Sequence, residues 1–211
     1  MRTLIILFAT LASFCSFAND GKYIEAMSKQ IEQVYKAQTL DELQSAVNTF
    51  DRIASAEKTK WEPLYYSAFG NIMMATREQE SAKKDTYLDL ALASIEKAKS
   101  IKPDDSEIVA LEGFVHMMRL TVDPATRGQK YSGLAMQTFG KAVGLNPENP
   151  RALSLLAQMQ FGTAQFFGSP TTEACVTLNK SLEKFSTEKS ENPLAPRWGK
   201  GMTEQLKKNC Q

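Results

Sequence analysis

The sequence predicts an all-α protein: antiparallel helical hairpins stacked into a short superhelix. Three observations support this. One spacing occurs twice. Ala91, Ile95, Ala98 and Pro103 follow one another at steps of four, three and five, and Ala135, Phe139, Ala142 and Pro147 repeat those steps 44 residues later (91 to 135). Apolar residues elsewhere recur at helical intervals. No strand-like alternation longer than four residues competes with them.

The first element is a leader. Met1-Arg2-Thr3 is a short positive start, and Leu4 to Phe17 is almost wholly apolar. That run suits a signal-peptide core and is too short to span a bilayer. Ser16-Phe17-Ala18 supplies a small-x-small pattern, so residues 1–18 read as a signal peptide cleaved after Ala18. Phe14 stands before Cys15, where a lipoprotein signal has a small residue, and this argues against lipidation. The expected location is periplasmic or secreted, with no membrane insertion after cleavage.

Ile24, Met27, Ile31, Val34 and Tyr35 form the stripe of the first helix. Thr39-Leu-Asp-Glu42 is a capping box opening the second, whose stripe is Leu43, Ala46, Val47, Phe50 and Ile53. The third runs from Trp61 to about Thr76, with Pro63 tolerated in its first turn. Arg77 to Asp85 has no apolar period and reads as a loop or frayed end. Helix four spans about Thr86 to Ile101, and Pro103-Asp104-Asp105-Ser106 stops it and caps helix five, which continues to Val122. Asp123-Pro124 is a break, and Thr126 to Tyr131 reads as a loop before helix six, Gly133 to Leu145. Asn149 caps helix seven, with Pro150 in its first position, and the helix runs to Phe167. Helix eight covers Pro170 to Thr187; Ser190 to Gly201 should be irregular, and a short helix from Met202 to Asn209 delivers Cys210.

The chain left after cleavage has two cysteines, Cys175 and Cys210, which should pair in an oxidising compartment. That bridge would close a loop worth about 3–4 kcal/mol on the chain-entropy model. The expected organisation is a repeat domain over 19–188 and a C-terminal segment, 189–211, tied back by the disulfide. Arg2 is the only charge in the leader, so 24 cations and 24 anions remain, interspersed as on solvated helix faces. A balanced surface offers nucleic acid no phosphate-neutralising patch.

Small residues at Ala91, Ala98, Ala135 and Ala142 let neighbouring helices approach, Ile95 and Phe139 fill the gap, and Pro103 and Pro147 end each second helix. In these positions the chain resembles the tetratricopeptide repeat family. Gly113 and Ala157 match the small-residue position of first helices, and Trp61 with Leu64 matches an opening Trp-x-x-Leu. The period exceeds the family's, which is about 34 residues. Gly162-Thr-Ala-Gln-Phe-Phe-Gly168, Cys175, Pro196-Arg-Trp-Gly199 and Cys210 further resemble exported tetratricopeptide-type proteins of Bacteroidetes. The resemblance implies a concave face, lined by first helices, that holds a protein or peptide partner. Matching positions include Tyr66, Phe114, Met117, Arg151, Gln158 and Phe161, together with Phe69, Ala110 and Ser154. The competing reading is that several of them pack inside a closed array.

Catalytic chemistry has little to stand on. His116 is the only histidine and lies in an apolar stretch. Met73-Met74 and Met117-Met118 point apart on a helix and read as core filler. No phosphate loop, nucleophile elbow or metal-binding His-Glu-x-x-His is present. Neither a catalytic residue, a metal nor a cofactor is therefore expected. The leading expectation is an exported, non-catalytic interaction module. The alternative is an enzyme or small-ligand binder with a pocket between the repeats and the C-terminal segment, around Phe166, Phe167 and Trp198.

Overall fold

The computed structural model describes residues 20–210, so the predicted signal peptide lies outside the described residues. Helix α1 covers 20–36. It is followed by α2 (Leu40–Ala56), α3 (Glu62–Arg77), α4 (Ser81–Ile101), α5 (Ser106–Val122), α6 (Pro124–Leu145), α7 (Pro150–Phe167), α8 (Thr172–Thr187) and α9 (Lys200–Leu206), then a 3-10 turn, Lys207–Cys210. The described residues contain no strand.

Caps written in the sequence set most boundaries. Thr39 and Glu42 form the reciprocal capping box of α2. Asp105 accepts from the Glu107 and Ile108 amides, and Asn149 from those of Arg151 and Ala152. Each satisfies amides that the helix itself cannot. Gly168 ends α7 in the left-handed region, φ 63°, where glycine carries no steric penalty.

Successive helices pair as hairpins, and the first helices α3, α5 and α7 touch in series. The α1 helix joins that row, its Tyr35 ring lying edge-on to Tyr66 and Phe69 at 6.2 and 5.8 Å. The twice-used spacing forms the joints. Ala91, Ile95, Ala98, Ala135, Phe139 and Ala142 are all fully buried. A Cβ on Gly113 would stand 2.5 Å from the Phe139 ring, and one on Gly70 2.6 Å from Val47. Gly113 therefore lets α6 close on α5 within a hairpin, and Gly70 lets α3 close on α2 of the preceding hairpin. Polar bonds lock successive hairpins together: Ser106 Oγ donates to the Ala142 carbonyl at 2.8 Å and accepts from Asn149 Nδ2 at 2.9 Å.

Two predicted loops are helix. Residues from Ser81 belong to α4, and Thr126 to Tyr131 belong to α6, which starts at Pro124 with Asp123 as its side-chain cap. Both stretches lie at the N-terminal ends of second helices and bind each other through charge rather than apolar surface. Arg127 donates to both Asp85 oxygens at 2.7 and 2.8 Å, and Arg119 pairs with Asp89. The Arg127 guanidinium holds the Asp85 carboxyl below its usual range. An apolar-period reading cannot see a helix held this way.

Cys175 and Cys210 are joined, their Cα atoms 5.6 Å apart. Among the described residues no helix is long and apolar enough to cross a membrane.

Candidate functional site

The first helices present one face to the interior of the superhelix. Its rows are Tyr65, Tyr66 and Phe69 on α3, Glu107, Phe114 and Met117 on α5, and Arg151, Ser154, Gln158 and Phe161 on α7. The chain's own C-terminal segment lies across this face. Leaving α8, it reaches α3, where Tyr66 donates to the Leu194 carbonyl at 2.8 Å. It then touches α1: the Arg197 amide donates to Tyr35 at 3.0 Å, and the Arg197 guanidinium to Glu32 at 2.6 Å. The Trp198 ring stacks against both Phe69 and Phe114, with centroids 5.3 and 6.0 Å away, and its Nε1 donates to Tyr65 at 2.9 Å. The segment returns over α7, where Thr203 and Ser154 share a 2.6 Å hydroxyl bond, before the disulfide anchors it to α8.

This strap fills the face on which the sequence places a partner. Tyr66, Phe114, Met117, Arg151 and Phe161 are buried, and Gln158 is half-buried. Tyr66 and Phe114 touch the strap directly, and Phe161 packs with Ala157, Ala174 and Leu178 while Leu206 of α9 closes over that cluster. A peptide entering this face would have to expel Trp198. Residue type is the same for an outside partner and for a segment of the same chain, so spacing alone does not separate the two.

Arg151 is the electrostatic centre of the strap's seat and only 3% exposed. Its Nε donates to both Glu107 oxygens at 2.8 and 3.0 Å, and its terminal nitrogens pair with Glu188. Nη1 also reaches the Trp198 carbonyl at 3.5 Å. Burial pushes the Glu107 carboxyl up, and Arg151 opposes that shift. Burial acts against the Arg151 charge, but the Glu107 and Glu188 carboxylates outweigh it and raise its pKa. Burial likewise raises the phenols of Tyr35, Tyr65 and Tyr66, which stay neutral and serve as hydrogen-bond links. Gly199, at φ 103°, lets the strap pass where a Cβ would stand 3.0 Å from Phe185 and 3.3 Å from Arg151 Cγ.

Two other features stand out on the surface. Phe166 and Phe167, at the end of α7, are 83% and 71% exposed, with ring centroids 5.0 Å apart and nearly perpendicular. Val176 on α8 is 66% exposed. The sequence singled out the two phenylalanines for the alternative reading, and among the described residues nothing covers them. The His116 ring stacks on Tyr131 at 6.2 Å, and its Nδ1 is enclosed without a partner among the described residues. Burial holds its pKa below the ordinary value. Among the described residues no group of three or more His, Cys, Asp or Glu could hold a metal ion.

The fold and site define an all-α, tetratricopeptide-like helical-repeat protein that closes its concave face with its own C-terminal strap. Among solved structures the chain is similar to the HusA haemophore from Porphyromonas gingivalis: 29% identity, 90% of this chain and 92% of that one covered, TM-score 0.81. It also matches TTC0263, a thermophilic TPR protein of Thermus thermophilus, at 14% identity over 78% and 89% of the two chains with a TM-score of 0.38. MamA from Desulfovibrio magneticus RS-1 matches at 16% over 80% and 98%, TM-score 0.35. No protein-family model matches the chain, and no curated protein does.

Proposed function

We propose that this protein is an exported, non-catalytic carrier of a planar apolar ligand of the haem class. The observation that carries this reading is the likeness to the HusA haemophore, which runs through nine-tenths of both chains at 29% identity. The strap supports a small ligand over a peptide in the concave face, because that face is already committed to Leu194, Trp198 and Thr203. The formed disulfide fits an oxidising compartment outside the cytoplasm.

Phe166 and Phe167 supply the contact surface. Two adjacent exposed rings set at right angles offer one face for stacking and one edge for lateral contact, as aromatic pairs prefer. The exposure of both rings, with nothing over them among the described residues, supports a role in binding. Haem here is cargo, held by apolar contact with its flat face.

Titration of the full chain with haemin tests the reading. A saturable change in the Soret band is expected, and it should weaken at least about tenfold in Phe166→Ser/Phe167→Ser, a loss of about 1.4 kcal/mol or more. Absence of any saturable change would overturn the carrier reading. A double variant that titrates like the parent would overturn the assigned surface.

A further inference from the structure

On the outer side of the superhelix, α2 and α4 stand apart over α3 and leave a groove of about 710 Å³. Its floor is Leu64, Ser67 and Asn71 of α3. Asn71 is 2% exposed; its Nδ2 donates to the Ser67 carbonyl at 3.0 Å, and its Oδ1 has no partner among the described residues. Buried acceptors are nearly always satisfied, and leaving one orphaned costs about 1–3 kcal/mol. Beside it, the Ser67 hydroxyl donates to Asp51 Oδ1 at 2.6 Å, which leaves the other carboxylate oxygen of Asp51 able to accept a further bond. Lys58 and Lys97 line the groove where α2 and α4 end.

These positions match an extended chain. Ser67 and Asn71 are one helical turn apart, about 6 Å along the axis. Amides on the same side of an extended strand recur every two residues, about 6.6 Å. An extended chain can therefore place one N–H on the Asp51 carboxylate and the next same-side N–H over Asn71, whose Oδ1 is enclosed at the groove floor. Gln44 to Ser55 on the α2 wall spans about 16 Å, room for about five extended residues. Leu90, Ala93 and Val47 give the walls apolar contact, and the two lysines offer an anion a place at one end.

We propose that the α2–α4 groove binds an extended peptide segment of a partner protein, one backbone amide donating to Asp51, the next same-side amide lying over Asn71, and an acidic side chain reaching Lys58 and Lys97. The site lies on the opposite side from the strap and is separate from Phe166 and Phe167, so cargo and partner can be held together. A carrier must be recognised where it unloads, and this groove suits that contact.

The test is selection of a phage-displayed random heptapeptide library on the full chain, followed by binding of the enriched peptide in synthetic form. Ala93→Arg plugs the groove from an exposed α4 position, and Lys58→Glu/Lys97→Glu reverses its charged end. Enriched sequences should carry an acidic residue. They should bind each variant about tenfold or more weakly, as loss of one or two hydrogen bonds or ion contacts implies, and protect residues 44–58 and 90–101 from hydrogen exchange. Thermal melting and haemin titration of Ala93→Arg should match the parent. The proposal fails if no sequence is enriched over the Ala93→Arg control, or if the enriched peptides protect another face. Both results leave the haemin titration of the parent unaffected, so failure of this site and failure of the carrier reading are distinguishable.

Discussion

Arg151→Leu should be among the most damaging single changes in the strap's seat. The substitution leaves Glu107, whose carboxyl is bonded to Arg151 at 2.8 and 3.0 Å, without its cation in a buried setting. Glu107 retains only the Tyr65 hydroxyl at 3.2 Å. Breaking a buried pair by removing one partner costs about 3–5 kcal/mol. For a chain of this size that corresponds to a fall of about 6–20 °C in Tm, at about 2–4 °C per kcal/mol. Denaturant unfolding monitored by helical circular dichroism measures it, with tryptophan fluorescence in a Trp61→Phe background reporting Trp198 and the strap. The loss should also depend on pH. Burial already raises the Glu107 carboxyl, and removing the guanidinium that opposes this raises it further. A carboxyl raised in the folded state binds its proton more tightly folded than unfolded. Its contribution is therefore present at low pH and lost as pH rises through the folded pKa. The variant should lose least in acid and most at neutral pH. Glu107→Gln added to Arg151→Leu should recover part of the loss, because no charge is then stranded. A loss under about 1 kcal/mol, typical of a solvated pair, would refute the assignment. So would a double variant no more stable than the single.

Gly113→Ala should destabilise despite alanine's helix advantage of about 1 kcal/mol, because its Cβ would meet the Phe139 ring at 2.5 Å and overpacking costs about 1–3 kcal/mol. Phe139→Leu in the same chain should restore the fit, and a more stable Gly113→Ala in urea unfolding would contradict the joint. Cys175→Ser/Cys210→Ser should cost about 2–4 kcal/mol and speed hydrogen exchange first in the strap; exchange unchanged at 188–206 would show that the strap needs no tether. His116 carries a pKa held down by burial, so its contribution is full above the ordinary imidazole pKa and lost as pH falls through the depressed one. His116→Phe should flatten the fall of Tm between pH 7 and pH 5, and an unchanged slope would assign that fall to other groups.

The parts of the fold readable from sequence are those where one residue type has one physical use. Thr39 with Glu42, Asp105 and Asn149 each mark the start of a helix because their side chains bond its free amides. Ala91 to Ala98 and Ala135 to Ala142 mark the joints because only small residues allow that approach. Readings based on apolar period alone stopped short at the ends of α4 and α6, where Asp85, Arg119 and Arg127 hold helix to helix by charge. The strap was less readable still. Residues 189–199 have no period, and Trp198 meets Tyr65 across 133 positions of sequence. Tyr66, Phe114 and Arg151 are buried beside the strap, and such residues would look the same for a partner or for the protein's own tail. Phe166 and Phe167 differ: their exposure follows from lying past the last buried turn of α7, where Phe161 ends the apolar contact.

A superhelix that fills its own concave face redirects binding to its outside. Displacing the strap requires expelling a tryptophan stacked on two rings and breaking the strap's hydrogen bonds to Tyr35, Tyr65, Tyr66 and Ser154. Losing a packed aromatic costs about 3–5 kcal/mol, and each of the four hydrogen bonds lost adds about 0.5–1.5 kcal/mol. The disulfide keeps the freed segment close, so it competes for its seat as an intramolecular ligand at high effective concentration. An outside peptide of ordinary micromolar affinity, about −8 kcal/mol, would spend most of that opening the face. Surfaces that need no opening carry no such cost: the exposed phenylalanines at the end of α7, and the walls of the α2–α4 groove. The strap thus turns a peptide-holding architecture into a body whose open surfaces lie on its rim and outer wall.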